Sequence, residues 1–367
     1  MTRDTRRGRV LMLGTVNHPH VEHLAQAMHE RGFELVVGGD TEPSLPPSVL
    51  PAAGVRVSPA PRRPRRSLRG AVAHVRWIRR LLRELKPDLV HAHWMPGFAF
   101  FAAAAGASPL IAMAWGSDVY RASLRQELVN RFAVRRADLV VTDSSALLSR
   151  LEELGAAADR TFLVNWGVDL VRFTPGGPVR RQIRSELGVG EGPAILSPRS
   201  LMPVYNIPTI VAAFERVAED VADVQLLVKH MGLTDGAAAG LANAERVHLV
   251  GHVPYEQMAA WYRAADVCVS IASSDSSPRS VWEAMACGVP VVVSDLPWVH
   301  ELIEPDVHAL VVPIEPEAVA AAILRVLTDP ELGRWLGEQG RALVERHRDR
   351  RHEMDRLAVA YDQLVSA

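Results

Sequence analysis

Residues 267–293 read Val267-Cys-Val-Ser-Ile271, then Ala-Ser-Ser-Asp-Ser-Ser-Pro-Arg-Ser-Val-Trp-Glu-Ala-Met-Ala-Cys-Gly288, then Val289-Pro-Val-Val-Val293. An apolar β-branched run, a serine-rich turn, a helix-compatible stretch and a second apolar run form the pattern of a strand, a helix and a parallel strand. Ser277 has the chemistry of an N-cap, with Pro278 at the first helical position. Gly288 supplies the stop, and Pro290 follows just beyond it. A helix that starts at the carboxyl end of a strand is an anion site, because its first N–H groups lack helical acceptors and its dipole is positive there. Ser276, Ser277, Arg279 and Ser280 add donors of the kind a diphosphate needs. Glu283 lies more than one turn in, too deep to face an anion, and suits a hydroxyl donor such as a ribose. On these residues alone, a surface ion pair for Glu283 and a plain serine cap read equally well.

The same alternation runs outward in both directions. Upstream, Val10–Leu13 precedes a helix from about His20 to Arg31, and Glu34–Gly38 follows. The amphipathic segment Val75–Leu85 leads into Leu89-Val-His91. Helices near Leu124–Arg135 and Ala146–Leu154 precede Leu139–Val141 and Phe162–Val164 in turn. The pattern pauses at Phe173-Thr-Pro-Gly-Gly-Pro178 and restarts with Ala194–Leu196, a helix from Asn206, Val224–Val228, Val247–Val250, a helix at Tyr255–Ala264 and the opening unit, with helices closing the chain from Pro316. Such a sequence is α/β, with parallel sheets covered on both faces. Expected domains are residues 1–174 and 175–350, with a helix over 351–367 packing back on the first. Two doubly wound domains of this kind bind ligands in the crevice at their strand ends.

Composition sets the remaining bounds. A chain of 367 residues with 48% hydrophobic and 23% charged residues is globular and of two-domain size. Two cysteines, Cys268 and Cys287, cannot frame a disulfide scaffold and fit a reducing compartment. The basic N-terminus leads only into Val10–Leu13 before Gly14, too short for a signal-peptide core. The uncharged stretch Gly97–Trp115 is broken by Gly106-Ala-Ser-Pro109 and reads as a buried helix plus a strand. A cytoplasmic chain is expected. The net charge of −1 conceals +8 over residues 1–172 and −9 over the rest, and Lys86 and Lys229 are the only lysines.

Further motifs accompany the opening stretch: Pro87-Asp-Leu-Val-His-Ala-His93, Trp115-Gly-Ser-Asp118, Gly167-Val-Asp169 with Phe173-Thr-Pro175, Ser197-Pro-Arg-Ser-Leu-Met-Pro203, Val250-Gly-His-Val-Pro254 and Ala265-Asp-Val-Cys-Val-Ser270. With Asp275, seven intervening residues and Glu283 before Ala-Met-Ala-Cys-Gly-Val-Pro-Val-Val, the chain resembles the GT-B-fold retaining glycosyltransferases of the family-four type, the group 1 glycosyl transferases. The resemblance covers nearly the whole chain and implies two facing Rossmann-like domains with a cleft between them. It implies a nucleoside-diphosphate sugar of UDP or GDP type as co-substrate, an acceptor that is a small molecule or glycan, and no metal or other cofactor. In that family pattern Glu283 binds the ribose, Asp275 meets donor-sugar hydroxyls, and Arg199 neutralises the diphosphate. Ser276, Ser277 and Ser280 cradle it, and His252 and Val253 lie where the base is held. Gly14 and Thr15 form the first-domain loop, and an acceptor docks on the first domain. Three positions depart from the pattern. Asp275 stands for the usual Glu, Tyr205 for a Lys, and Trp115, beside Asp118, for a His facing the reaction centre. Arg279 or Lys229 is then the candidate for the missing phosphate charge.

Other uses of the same fold would be a sugar-nucleotide hydrolase or epimerase, or a non-catalytic sugar-nucleotide-binding partner subunit. His18 and His20 flank Pro19 after the first strand, and His91 and His93 share one face of a later strand. Alternate spacing also suits metal ligands, but packing or acceptor hydrogen bonding explains it better, and no metal site is expected. Arg62-Arg-Pro-Arg-Arg-Ser-Leu-Arg69 reads as a solvated loop or as a weak contact with an anionic membrane or acceptor. No aromatic residues interleave it, so nucleic acid is not expected as a partner.

Overall fold

The computed structural model describes residues 7–43, 45–62, 67–176, 179–186, 189–229, 246–251 and 253–366. The chain divides into two compact units, one formed by the residues up to Trp166 with those from His352 onward, the other by Gly167–Arg351.

In the first unit the order is β1 (Arg9–Leu13), α1 (Pro19–Glu30), β2 (Glu34–Gly39), β3 (Arg56–Pro59), α2 (Leu68–Leu85), β4 (Leu89–His93), α3 (Phe100–Ala105), β5 (Leu110–Met113), α4 (Ser117–Tyr120), α5 (Leu124–Arg136), β6 (Leu139–Thr142), α6 (Ser145–Glu153) and β7 (Thr161–Leu163). The second unit carries α7 (Val179–Glu186), β8 (Ala194–Ser197), α8 (Ile207–Asp220), β9 (Gln225–Lys229), β10 (Val247–Val250), α9 (Met258–Ala264), β11 (Val267–Ser270), α10 (Arg279–Ala286), β12 (Val291–Ser294), β13 (Leu310–Val312), α11 (Pro316–Thr328) and α12 (Pro330–His347). The last helix, α13 (Arg350–Ser366), belongs to the first unit from His352 on.

Both sheets are wholly parallel. The first runs β3-β2-β1-β4-β5-β6-β7 and the second β10-β9-β8-β11-β12-β13. Strand order therefore reverses at β1/β4 and at β8/β11, and each reversal opens a crevice at the carboxyl ends of those strands. The four-residue strands such as β11 (Val-Cys-Val-Ser) are buried on both faces, which is why they read as unbroken apolar runs.

Alternation along each strand divides the first unit's core in two. Val90 and Ala92 of β4 join Trp77 and Ile78 of α2, Phe101 of α3, Val134 of α5 and Leu151 of α6. On the opposite face Leu89 meets Val21 and Met28 of α1 and Leu357 and Tyr361 of α13. In the second unit α9, α10 and α12 cover one face, while α8 and α11 cover the other.

Several elements differ from the sequence expectation. α10 begins at Arg279, with Pro278 in extended conformation as its N-cap, so Ser277 is not the cap. Its hydroxyl instead accepts the indole N–H of Trp282 at 3.0 Å. The end of α10 follows the expectation: Gly288 has φ +71°, its N–H bonds Met285, and the N–H of Val289 bonds Ala284, the two bonds of a Schellman cap. The short β3, β13 and α4 lack a periodic signal long enough to read. Gly97–Trp115 resolves into α3 and β5, preceded by a wide turn over Trp94–Ala99 bent at Gly97. Among the described residues no helix is long and apolar enough to cross a membrane. Most of the arginine run, residues 63–66, lies outside the described residues, as does His252.

Candidate functional site

In the second unit the β8/β11 reversal gathers the chemistry. β8 ends at Ser197, and Arg199 follows in the loop. The serine-rich turn after β11 carries Asp275 toward it. Arg199 donates to Asp275 Oδ2 at 2.6 Å and to Ser280 Oγ at 3.1 Å, and its guanidinium lies 4.1 Å from the centroid of the Tyr205 ring. The pair is well shielded, with side-chain exposures of 11% and 17%. A guanidinium has five N–H donors, so those two bonds leave capacity for phosphate oxygens. Ser280 stands in the first turn of α10, and no side chain caps that turn among the described residues. Arg199 and the positive helix end therefore coincide in space.

Tyr205 thus fills the position of the absent lysine in a different way: its π-face supports the arginine in place of a second cation. Lys229, at the end of β9, supplies the nearby amine. Burial lowers its pKa, Glu283 acts in the opposite direction, and Arg199 reinforces the lowering. Glu283 is 5% exposed. It accepts from Tyr262 Oη at 3.0 Å and Arg279 Nη2 at 3.3 Å. Burial raises its carboxyl above the usual range, while Arg279, Tyr262 and Lys229 counteract that. Arg279 is tied to Glu283 and stacks over Tyr255 at 5.0 Å, as Arg172 does from its own side at the same distance. Asp275 Oδ1 accepts the N–H of Ser276, fixing the turn. Val253 is a core residue beside Met258 and Tyr262. Tyr255 and Tyr262 had no motif to mark them: they read as part of the apolar face of α9 and its preceding turn.

The first unit builds a second cluster at the β1/β4 reversal. Gly14 donates to Gly38 O at 3.0 Å, and a Cβ on Gly39 would stand 1.6 Å from Gly14 O. Only glycine lets the β1 loop lie so close to β2. Thr15 Oγ1 donates to Asp40 at 3.1 Å. His18 accepts the N–H of His20, its ring 4.6 Å from Trp115, and His20 lies 4.2 Å from Trp166. Trp115 Nε1 donates to His93 Nδ1 at 3.3 Å. Indole is donor only, so His93 carries its proton on Nε2, a buried donor with no partner among the described residues. Burial holds His93 neutral, with His91 and His18 adding to the effect. His91 is lowered to about 3 by burial, and its Nδ1 meets Tyr361 Oη at 2.5 Å. Asp118 is 3% exposed, and its two oxygens accept the backbone N–H groups of Met95 and Trp115 at 2.9 Å each. Burial pushes its carboxyl up to about 6, against those same N–H groups. Its work is to shape the loop that presents Trp115. Among the described residues no group of three or more metal-binding side chains occurs.

Comparisons with known proteins agree with this architecture. The glycosyl transferase 4-like domain matches residues 18–167, and the family described as glycosyl transferases group 1 matches residues 179–343. A D-inositol 3-phosphate glycosyltransferase of Geodermatophilus obscurus is 33% identical over 215 residues, 54% of this chain and 47% of that protein. The putative teichuronic acid biosynthesis glycosyltransferase TuaC of Bacillus subtilis is 29% identical over 66% of this chain and 62% of its own length. These alignments thus span about half to three fifths of those relatives. Among solved structures, Anabaena HepE in complex with UDP and glucose superposes with a TM-score of 0.83 at 20% identity, covering 97% of this chain and 100% of that one. That likeness shows the fold. With both halves matched in chain order and two parallel α/β units behind them, the chain belongs to the group 1 glycosyltransferases of GT-B fold.

Proposed function

We propose that this chain is a retaining glycosyltransferase that takes a sugar from a UDP- or GDP-type nucleotide sugar and passes it to a small-molecule or glycan acceptor. The observation that carries the reading is Arg199, braced by Asp275, Ser280 and the Tyr205 ring at the uncapped first turn of α10. A diphosphate placed there meets a guanidinium, a serine hydroxyl and the positive end of a helix. Lys229 lies close enough to feel both Arg199 and Glu283 and adds a further cation. Asp275 is then positioned for donor-sugar hydroxyls and Glu283, fixed by Tyr262 and Arg279, for the ribose. The cluster of His18, His20, His93 and Trp115 in the first unit is assigned to the acceptor's side of the reaction.

In the proposed reaction the acceptor hydroxyl attacks on the face that the diphosphate leaves. The C–O bond to the diphosphate breaks ahead of the new bond, through an oxocarbenium-like centre, and the departing phosphate oxygen takes the acceptor's proton. No side-chain nucleophile is required. Catalysis rests on orientation and on stabilising charge as it develops on the leaving group. Arg199, Lys229 and the α10 N–H groups perform that task with the chain's own cations, so no metal is invoked.

Incubating the protein with a panel of nucleotide sugars and acceptors, and reading the anomeric coupling of the product by NMR, tests this directly. A glycoside with the donor's own anomeric configuration is expected. An inverted product would refute the same-face route, and donor binding without any product would favour the non-catalytic partner reading.

A further inference from the structure

We infer that the outer surface of α2 and α5 is a docking face for an anionic lipid surface. The two helices lie on the same side of the first sheet, burying Trp77, Ile78, Ala133 and Val134 in one core cluster. α3 lies between them: Phe100 meets Phe132 at 5.6 Å, and Arg79 donates to the carbonyls of Ala104 and Ala105. Their inner faces account for the core. Their outer faces combine two features that a water-facing helix does not need together.

On α5, Leu124, Leu128 and Phe132 are 84%, 69% and 38% exposed. Spaced by four residues, they form one stripe along the helix. Exposed Arg121, Arg125, Arg131, Arg135 and Arg136 flank that stripe. On α2, Leu68 and Val72 are 82% and 41% exposed, followed by exposed Arg76, Arg79, Arg80 and Arg83. Acidic compensation is slight: each helix holds a single glutamate, and each of these is already paired with an arginine four residues away. Both helices lead into parallel strands, β4 and β6, and so run antiparallel to them. The ends bearing Leu68, Val72, Leu124 and Leu128 therefore lie at the carboxyl edge of the sheet, the edge that also carries the His18–Trp115 cluster.

Single exposed leucines are ordinary, but a stripe of them framed by arginines on two helices of one face is the pattern of an interfacial element. Leucine and phenylalanine enter the boundary of the acyl chains, while arginine stems lie along it and carry their guanidinium groups to lipid phosphates. A second copy meeting this face about a two-fold axis would oppose arginine rows to arginine rows. Single-stranded nucleic acid would need stacking platforms, and the stripe offers only Phe132.

The test is co-sedimentation of the full chain with phosphatidylcholine vesicles, with and without phosphatidylglycerol. Binding is expected only where phosphatidylglycerol is present. Arg76→Glu/Arg83→Glu/Arg125→Glu should weaken it by about fivefold or more per position. Leu124→Ser/Leu128→Ser should also release the protein, with its melting temperature unchanged because both side chains already face water. Arg181→Glu/Arg334→Glu/Arg346→Glu, on the second unit, should bind as the parent does. The proposal is overturned if the parent ignores phosphatidylglycerol or if the leucine and arginine variants bind undiminished. It is also overturned if the second-unit reversal weakens binding equally, or if the leucine variant loses only self-association.

Discussion

Arg199 concentrates the account at the scale of one residue. It is asked to stabilise charge that grows on a leaving group, so Arg199→Ala should lower turnover by about 10²–10³-fold. Arg199→Lys should recover only part of that, because an ammonium cannot hold Asp275, Ser280 and phosphate in one plane. Initial rates with a saturating donor decide the matter, and a loss below a few-fold would contradict the role. A second residue-scale prediction concerns pH. His91 is held at about 3 against an ordinary value near 6.5, so the unfolded chain binds the proton first. Its contribution to stability is complete above about pH 6.5 and declines as pH falls toward 3. Between about pH 7 and pH 4.5 that amounts to about 2–3 kcal/mol. Asp118, raised to about 6, works in the other direction and favours the folded chain as its carboxyl takes up a proton. The His91→Gln variant should therefore lose less of its urea midpoint over that range than the parent does, and an identical slope would refute the argument. The sequence pointed to Arg199, Asp275 and Glu283 through the family resemblance. It could not show Tyr262 and Tyr255, because an aromatic on an apolar face reads the same whether or not its hydroxyl meets a carboxylate.

At the scale of elements, the decisive contact is α12 against the end of α10. Gly288 takes the left-handed conformation that ends α10, and a Cβ on Gly337 would stand 2.3 Å from its carbonyl oxygen. Gly337→Ala must push α12 away, and should cost about 1–3 kcal/mol. Gly333, one turn earlier, has its nearest neighbour at 3.4 Å, an ordinary contact. Gly333→Ala should leave stability unchanged or raise it by up to about 1 kcal/mol through helix propensity. Urea midpoints of the pair test the contact, and equal effects would contradict it. The same element shows how far a sequence reading reaches. Gly288 and Pro290 mark the end of α10 correctly, because the left-handed turn leaves a compositional trace. The start was displaced by one residue because Ser277 has the composition of a cap but its hydroxyl is occupied by Trp282, a contact set by folding. β3 and β13 were missed for another reason: Arg56-Val-Ser-Pro59 carries no run of apolar residues, and no helix-like segment leads into Leu310-Val-Val312 to continue the alternation.

For the whole molecule, the alternation of apolar runs and amphipathic segments gave two parallel α/β units, and the sheet orders place both reversal points where the chemistry gathers. The charge division acquires detail as well: the acidic half carries Arg199, so local cations act against that unit's net charge. The first unit is not closed by its own N-terminal stretch, since Met354, Leu357 and Tyr361 of α13 complete its core. Deleting residues 352–367 should strip that face, so calorimetric melting should lose the first unit's transition while the second unit's persists. Retention of both would contradict this division of the core. The central claim, that the β8/β11 crevice is a nucleoside-diphosphate site organised by Arg199 and Glu283, is most directly tested by calorimetric titration of the full chain with UDP and GDP. Saturable binding of at least one is expected, weakened tenfold or more by Arg199→Ala and likewise by Glu283→Ala. Binding of neither, or equal affinity in the parent and both variants, would contradict it.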